Sequence, residues 1–219
     1  MNFRYLFAGI ILTVILVAGV IVLQKSQALR ISSTLKTNLP ESEAKAKGPV
    51  DAPIQLIEYS DFECPACRAA IPAVLNLLQA YPEKIHFVFH HFPLRAHRLS
   101  PLAHQAAECA AEQNQFWAYH DRLYGEQPNW IKLSDPAETF LRFANELGLD
   151  LDGFAQCLAE ERIKRRILVE KAQGDSLKIS STPTFFLNGE RLVGGLELQI
   201  KGDVRIRHIL EKLPQKKTS

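Results

Sequence analysis

The feature that most constrains the fold of this chain is a Cys-Pro-Ala-Cys sequence, Cys64–Cys67, that directly follows a short apolar run. The run, Ile54–Tyr59, is bounded by turn residues, which is typical of a buried strand. Pro65 suits the first position of a helix, where its missing N–H costs nothing. A strand therefore ends and a helix begins at two thiols, which can close a disulfide, exchange it with another protein or bind a metal.

The periodicity of apolar residues predicts an α/β domain interrupted by helices. The first two strands flank one helix, and a β-α-β unit implies a parallel pair with a right-handed crossover. Asn188-Gly189 is a strong signal for a hairpin turn late in the chain. The predicted elements are strand Ile54–Tyr59, helix Pro65–Tyr81, strand Ile85–Phe89, helices over about 97–177, strands Thr184–Leu187 and Arg191–Val193, and a helix over about 197–213.

The N-terminal part predicts export. Leu6–Leu23 carries no charge and, at about 1.5 Å per residue, nearly spans a hydrocarbon core of ~30 Å. Because signal-peptide cores usually run about 7–15 residues, this length favours an uncleaved anchor over residues 1–23, although Ser26–Ala28 offers a cleavage site. We expect a single pass of the cell inner membrane, a polar tether over 24–49, a catalytic domain on the periplasmic side, and a basic tail over 214–219.

Charge and ligand spacing argue against two other classes. The net charge is +2 and the signs are mixed along the chain, so no nucleic-acid partner is expected. Zinc sites need about four ligands, commonly a second close pair, and Cys109 and Cys157 stand alone. Five of the seven histidines fall between positions 86 and 104 without a supporting carboxylate set, and they are interpreted as structural or surface residues, with His90 or His91 as candidates to face the site. We expect no metal, and a metal-binding module stays a remote alternative.

Exchange chemistry requires one exposed thiolate with a lowered pKa. Cys64 lies just before a helix, whose free N–H groups and dipole stabilise a negative sulfur. Cys67 follows one turn later on the same face. The spacing therefore predicts Cys64 as the attacking sulfur and Cys67 as the resolving one.

Two further positions bear on that chemistry. Glu58 shares the strand face of Ile54 and Leu56, and a buried carboxylate tends to keep its proton, so Glu58 is a candidate proton carrier. The alternative is an edge position with the carboxylate in water. Thr182-Pro183 precedes a strand, where a cis bond would free backbone groups for a peptide; from spacing alone trans is more common, since about 5–6% of X–Pro bonds are cis.

Cys109 and Cys157 both fall on apolar faces of predicted helices. In an exported protein such a pair can cross-link, and closing a loop of that length stabilises by roughly 4 kcal/mol in the chain-entropy model. The alternative is two separate buried thiols.

Taken together, EYSDFECPACR, AAECAAEQNQFWAYHDRLY and STPTFFLNG resemble the DsbA-like thiol-disulfide oxidoreductases of the thioredoxin superfamily. The resemblance covers about Gly48 to Leu213. It implies a thioredoxin domain over 50–213 with an all-helical domain, about 97–177, inserted after the second strand. It also implies a cis Thr182–Pro183 bond packed against Cys64, Glu58 as proton carrier, and a second disulfide between Cys109 and Cys157.

The same resemblance implies an extracytoplasmic enzyme that introduces disulfides into exported proteins. Its redox group is the Cys64–Cys67 disulfide, without a cofactor. Its partners are reduced or unfolded exported proteins and a membrane reoxidising protein of the DsbB or vitamin K epoxide reductase type. One departure is the dipeptide Pro65-Ala66, where strong oxidants of the family carry Pro-His. Losing that His removes a stabiliser of the thiolate, so a thiol reductase or isomerase is the alternative.

Overall fold

The structure is a computed structural model and describes residues 43–213. A five-stranded sheet organises this part of the chain. The strands are β1 (Ala46–Lys47), β2 (Ile54–Ser60), β3 (Ile85–His91), β4 (Thr184–Leu187) and β5 (Glu190–Val193). The helices are α1 (Pro65–Ala80), α2 (Ser100–Glu112), α3 (Phe116–Gly125), α4 (Gln127–Trp130), α5 (Ala137–Glu146), α6 (Leu151–Ala159), α7 (Glu161–Ser176) and α8 (Gly194–Glu211). The strand order is β1-β3-β2-β4-β5.

Strand β2 is the centre of the sheet. It pairs parallel to β3 and antiparallel to β4, so both of its edges are hydrogen-bonded. Ile54 and Leu56 are completely buried on one face, and Glu58 follows them on that face with 6% exposure. The register places Glu58 between Phe89 of β3 and Phe185 of β4. A carboxyl group is therefore held between two aromatic residues, where it has little access to water.

One face of the sheet is covered by α1 and α8, which pack closely on each other. A Cβ on Gly195 would lie 2.8 Å from the Ala70 Cα, and one on Gly202 would lie 3.0 Å from a Leu77 methyl. Small residues at these crossings let the two helices approach. The core beneath them includes Ile54, Leu56, Val74, Leu77, Phe185, Leu198 and Ile206.

Helices α2 to α7 lie between β3 and β4 in the sequence and form a second core. Its largest fully buried side chains include Phe116, Tyr119, Trp130, Phe140, Phe143 and Phe154. A disulfide joins Cys109 on α2 to Cys157 on α6, with a Cα–Cα distance of 5.8 Å. The order β-α-β, helices, β-β-α is the one that the sequence predicts.

The structure differs from the prediction at the end of the tether. Within the segment assigned to it, Glu43–Lys45 form a short 3-10 turn, and β1 pairs antiparallel with β3. The Trp117 indole N–H donates to the Ala46 carbonyl at 3.2 Å, and Lys45 is buried. The sequence does not predict this strand, because its composition is polar and the residues that pair with it are distant in the chain. Residues 1–23, most of the tether and the tail 214–219 lie outside the described residues.

The predicted single-pass location in the inner membrane needs correction. Among the helices of residues 43–213, none is both long enough and apolar enough to cross a bilayer. The apolar block Leu6–Leu23, on which the prediction depends, lies outside the described residues. We therefore withdraw the anchored location with a catalytic domain on the periplasmic side.

Candidate active site

The two thiols lie where β2 ends and α1 begins. Cys64 is the N-cap of α1 with an extended backbone (φ −77°, ψ 118°), and Pro65 occupies the first turn. The N–H of Cys64 donates to the Asp61 carbonyl at 3.0 Å, which closes the turn between strand and helix. Both thiols are free, with 7% exposure for Cys64 and 1% for Cys67. Both cysteines are therefore buried, and Cys64 keeps more residual exposure than Cys67.

The environment of Cys64 favours a thiolate. A hydrogen bond from the Cys67 thiol is the largest effect, and with the Thr182 side chain and the backbone N–H groups of Ala66 and Cys67 it lowers the pKa of Cys64 to about 5. Burial opposes this shift but is outweighed. These N–H groups belong to the first turn of α1, where helix donors have no internal partner. Cys64 is therefore mostly ionised at neutral pH.

Cys67 has the opposite environment. Burial, and then the neighbouring Cys64 and Glu58, raise the pKa of Cys67 well above its usual range. The backbone N–H of Asp61 donates to the Cys67 sulfur at 3.4 Å. The two thiols therefore differ in acidity although they are three residues apart.

Glu58 is the buried carboxyl group next to this pair. Burial raises the pKa of Glu58 to about 7, and a hydrogen bond from the Ser60 hydroxyl at 2.7 Å opposes the rise. The Ser60 oxygen also lies 3.0 Å from the Tyr124 hydroxyl. At neutral pH, Glu58 can thus either give or take a proton.

The loop before β4 covers Cys64. The Thr182–Pro183 peptide bond is cis, and the Cys64 sulfur lies 3.4 Å from the Thr182 carbonyl oxygen, to which it donates when it is protonated. The Thr182 hydroxyl is buried without a conventional hydrogen-bond partner within residues 43–213. The Pro183 carbonyl accepts from the Gly194 N–H at 2.8 Å, which attaches the loop to the start of α8. The sequence-predicted site residues on β2, α1 and this loop are therefore brought together.

Sequence reasoning missed Asp61. Its carboxylate accepts from the Leu94 N–H (2.7 Å), the Ser100 hydroxyl (2.6 Å) and the Glu63 N–H (2.9 Å), and it contacts His97 (2.8 Å). These bonds connect the active-site turn to the loop after β3 and to the start of α2. Burial opposes the charge, but the contacts with His104, Ser100 and Leu94 lower the pKa of Asp61 below its usual range. The one sequence feature that could have indicated a role for Asp61 is its position in the SDFECPAC segment, three residues before Cys64.

Two crowded histidines belong to a buried polar network and not to a metal site. His91 and His104 join through their Nδ1 atoms at 2.6 Å, and His91 Nε2 lies 3.0 Å from Glu108. Burial lowers the pKa of His91 to about 4. In the part of the chain that the structure describes, no three His, Cys, Asp or Glu side chains are arranged to hold a metal ion.

Gln127 is a second residue that the sequence did not single out. Its side-chain amide donates to the carbonyls of Phe62 at 2.7 Å and Cys64 at 3.0 Å. Because Gln127 begins α4, the helical insert directly fixes the backbone around the attacking cysteine. No local sequence pattern indicates this contact, because Gln127 lies 63 residues from Cys64 in the chain.

This fold and this thiol site define a protein of the thioredoxin class, with a pair of free thiols, Cys64 and Cys67, at the start of a helix. A sequence model of the family described as thioredoxin matches residues 42–199, and the chain belongs to that family. The predicted resemblance and fold class, a thioredoxin fold with a helical insert, are confirmed.

Solved structures share the fold. Oxidised BdbD from Bacillus subtilis aligns with a TM-score of 0.68 and 19% identity, over 78% of this chain and 96% of that one. Alpha-DsbA1 from Wolbachia pipientis aligns with a TM-score of 0.65 and 24% identity, over 77% and 91%. A thioredoxin-like oxidoreductase from Silicibacter pomeroyi gives 0.63 and 23%, over 77% and 92%.

Curated relatives are much longer proteins. The Na(+)/H(+) antiporter NhaA 3 of Salinispora tropica is 42% identical over 154 residues, which is 70% of this chain and 23% of the relative. The NhaA antiporter of Herminiimonas arsenicoxydans is 32% identical over 151 residues, or 69% and 23%. The chain spans about a quarter of the length of these relatives, so their antiport activity is not transferred to it.

Proposed function

We propose that the protein oxidises cysteine pairs in exported proteins by dithiol-disulfide exchange at Cys64–Cys67. The observation that carries the proposal is the asymmetry of the thiols, because the pKa of Cys64 is lowered to about 5 and that of Cys67 is raised. A stabilised Cys64 thiolate favours the reduced enzyme and makes Cys64 a good leaving group. The first effect favours electron flow from the substrate to the enzyme, and the second speeds release of the oxidised substrate.

The exchange takes two displacements. A substrate thiolate attacks the Cys64 sulfur of the oxidised enzyme, the Cys64–Cys67 bond breaks, and Cys67 leaves with the electron pair. The second substrate thiolate then attacks the substrate sulfur of the mixed disulfide. This forms the substrate disulfide and releases Cys64 as a thiolate. Two electrons pass from the substrate to the enzyme.

Neighbouring groups serve these steps. Glu58 gives a proton to Cys67 when that buried sulfur leaves, and recovers it on reoxidation. The Thr182–Pro183 loop, in contact with Cys64 through the Thr182 carbonyl, holds the substrate backbone. Pro65 and Ala66 carry no side-chain donor, so the Cys67 thiol, together with the Thr182 side chain and the backbone N–H groups of Ala66 and Cys67, provides the stabilisation of Cys64.

Turnover requires an electron acceptor. A membrane protein of the DsbB or vitamin K epoxide reductase type would receive the two electrons by the same exchange chemistry. The Cys109–Cys157 disulfide supports activity in an oxidising compartment, where such bonds persist.

The reduction potential tests the direction of electron flow. Equilibration with glutathione buffers should give a value well above that of thioredoxin, between about −180 and −120 mV, the range of protein disulfide isomerase and DsbA. A potential near −270 mV, that of thioredoxin, would instead establish the alternative, a thiol reductase. The specific observation that favours this alternative is Ala66, which stands where strong oxidants of the family carry a His between the cysteines.

A trapping experiment tests exchange itself. Cys67→Ser leaves Cys64 without its resolving partner, so mixed disulfides with substrates should accumulate and be separable on non-reducing gels. Cys64→Ser is the matched control and should trap nothing. If Cys67→Ser forms no mixed disulfide with a reduced unfolded protein under oxidising conditions, exchange at this site is contradicted.

A further inference from the structure

The mechanism needs a path between Glu58 and Cys67, and Ser60 lies on it. Side chains two residues apart on a strand share a face, so Glu58 and Ser60 of β2 point the same way. The Ser60 hydroxyl is completely buried and lies 2.7 Å from Glu58 Oε1. The following N–H, that of Asp61, contacts the Cys67 sulfur at 3.4 Å, so the end of β2 lies directly against this thiol.

The hydroxyl also has a fixed orientation. Tyr124, which is 2% exposed, places its hydroxyl 3.0 Å from the Ser60 oxygen and 3.2 Å from the Asp61 carbonyl oxygen, so its one proton can be donated to either. Ser60 also acts on Cys67, because its hydroxyl opposes the rise in the pKa of that thiol. A serine hydroxyl has one proton to donate and two lone pairs that accept. It can therefore donate to one neighbour while accepting from the others.

We propose that the Ser60 hydroxyl, held in place by Tyr124, relays the proton between Glu58 and Cys67. When the Cys64–Cys67 bond breaks, the Ser60 proton moves to the Cys67 thiolate and the Glu58 proton moves to Ser60. The products are a Cys67 thiol, an intact Ser60 hydroxyl and a Glu58 carboxylate. Reoxidation reverses both transfers. The inference rests on the proposed function of Glu58 as proton carrier.

The groups around Glu58 define the expected pH dependence. The neighbouring strands present Phe89 and Phe185, which are uncharged. Helix α1 presents Cys67 and helix α3 presents Tyr124, the turn after β2 adds Asp61, and the reduced enzyme adds the Cys64 thiolate beside Cys67. Because Asp61 stays ionised and Tyr124 stays neutral near pH 7, protonation of Glu58 with a pKa of about 7 controls proton supply.

The test compares variants with the wild-type enzyme across pH. Oxidised Ser60→Ala, Glu58→Gln and the double variant each react with one reduced dithiol peptide, and stopped-flow fluorescence gives the rate. Dividing by the wild-type rate at each pH cancels the ionisation of the peptide. We expect each single variant to react about tenfold slower at pH 6 and at nearly the wild-type rate at pH 8.5, where Glu58 has no proton to give.

The double variant separates a shared path from two independent effects. If Ser60 and Glu58 act in one relay, the double variant should be no slower than either single variant. Tyr124→Phe should slow the reaction by about threefold with the same pH dependence, since Tyr124 positions the hydroxyl. Tyr119→Phe removes another buried hydroxyl, which bonds the Phe140 carbonyl at 2.8 Å, and is expected to leave the rate unchanged.

Each result has one meaning. If Glu58→Gln slows the reaction and Ser60→Ala does not, the relay is wrong and the proposed role of Glu58 stands. A loss for Ser60→Ala that is equal at every pH would assign it a structural role, which also overturns the relay. If neither variant slows the reaction, the proton carrier and its relay both fail, while trapping by Cys67→Ser still reports on exchange.

Discussion

At the scale of single residues, the buried Glu58 should make the stability of the reduced enzyme depend on pH. Its pKa rises from 4.5 to about 7 on folding, so the folded state holds this proton more strongly than the unfolded state. That contribution is complete below pH 4.5 and is lost as the pH rises to about 7. The loss amounts to about 3 kcal/mol.

Glu58→Gln removes this dependence with little change of shape. Guanidinium unfolding of the reduced variant and wild type at pH 5 and pH 8 should show the variant gaining about 2.5 kcal/mol relative to wild type as the pH rises. Other titrating groups cancel in this comparison. A difference that is the same at both pH values would mean that Glu58 is solvated.

Thr182 should set part of the acidity of Cys64. Its buried hydroxyl lacks a conventional partner in the part of the chain described and lowers the pKa of the adjacent thiol. In Thr182→Val this donor is absent, so the pKa of Cys64 should rise by about one unit. Thiolate absorbance followed across pH measures it. Thr184→Val is the control, because the Thr184 hydroxyl bonds the Ser181 carbonyl at 2.8 Å; an equal shift there would contradict a specific effect.

The sequence predicts the position of a single residue when that position follows from residues next to it in the chain. Strand alternation placed Glu58 on the buried face, and the helix start placed Cys64 at free N–H groups. Ser60 and Gln127 were missed because their partners, Tyr124 and the Cys64 carbonyl, are more than sixty residues away. A sequence period cannot encode which distant polar groups meet.

At the scale of elements, the disulfide between α2 and α6 should stabilise the helical insert without entering the chemistry. The bond closes a loop with a sequence separation of 48, for which the chain-entropy model gives about 4 kcal/mol. Cys109→Ser combined with Cys157→Ser should lower the free energy of unfolding by up to that amount. The reaction rate of Cys64 with a thiol reagent should stay unchanged, and a large fall would show that the disulfide shapes the active site.

Elements with a clear period were predicted well from the sequence. The apolar spacing located β2, β3, the hairpin of β4 and β5, and the run of helices between them. Strand β1 was missed because Ala46 and Lys47 form it only through pairing with Val88 and Phe87 of β3. Two residues are too few for any period, so tertiary contacts alone define this strand.

At the scale of the whole molecule, one buried polar network links the N-terminal arm, which is the 3-10 turn and β1 over residues 43–47, to the active-site turn. It runs through Lys45, Glu170, Glu108, His91, His104 and Asp61. Its members come from the arm, β3, α2, α7 and the turn after β2, so it connects the sheet with the helical insert. Burial opposes the charge of Lys45, but the carboxylates of Glu170 and Glu108 raise its pKa.

The network predicts that Lys45 is critical for stability although it lies far from the thiols in sequence. Lys45→Met keeps the apolar stem but removes the ammonium group that Glu108 and Glu170 share, and breaking such a buried pair destabilises by about 3–5 kcal/mol. Guanidinium unfolding at pH 7 measures this loss. Lys47→Met is the matched control, since Lys47 contacts the Trp117 ring at 4.1 Å and its removal should cost about 0.5–1 kcal/mol. Equal losses in the two variants would show that the arm contributes only local packing.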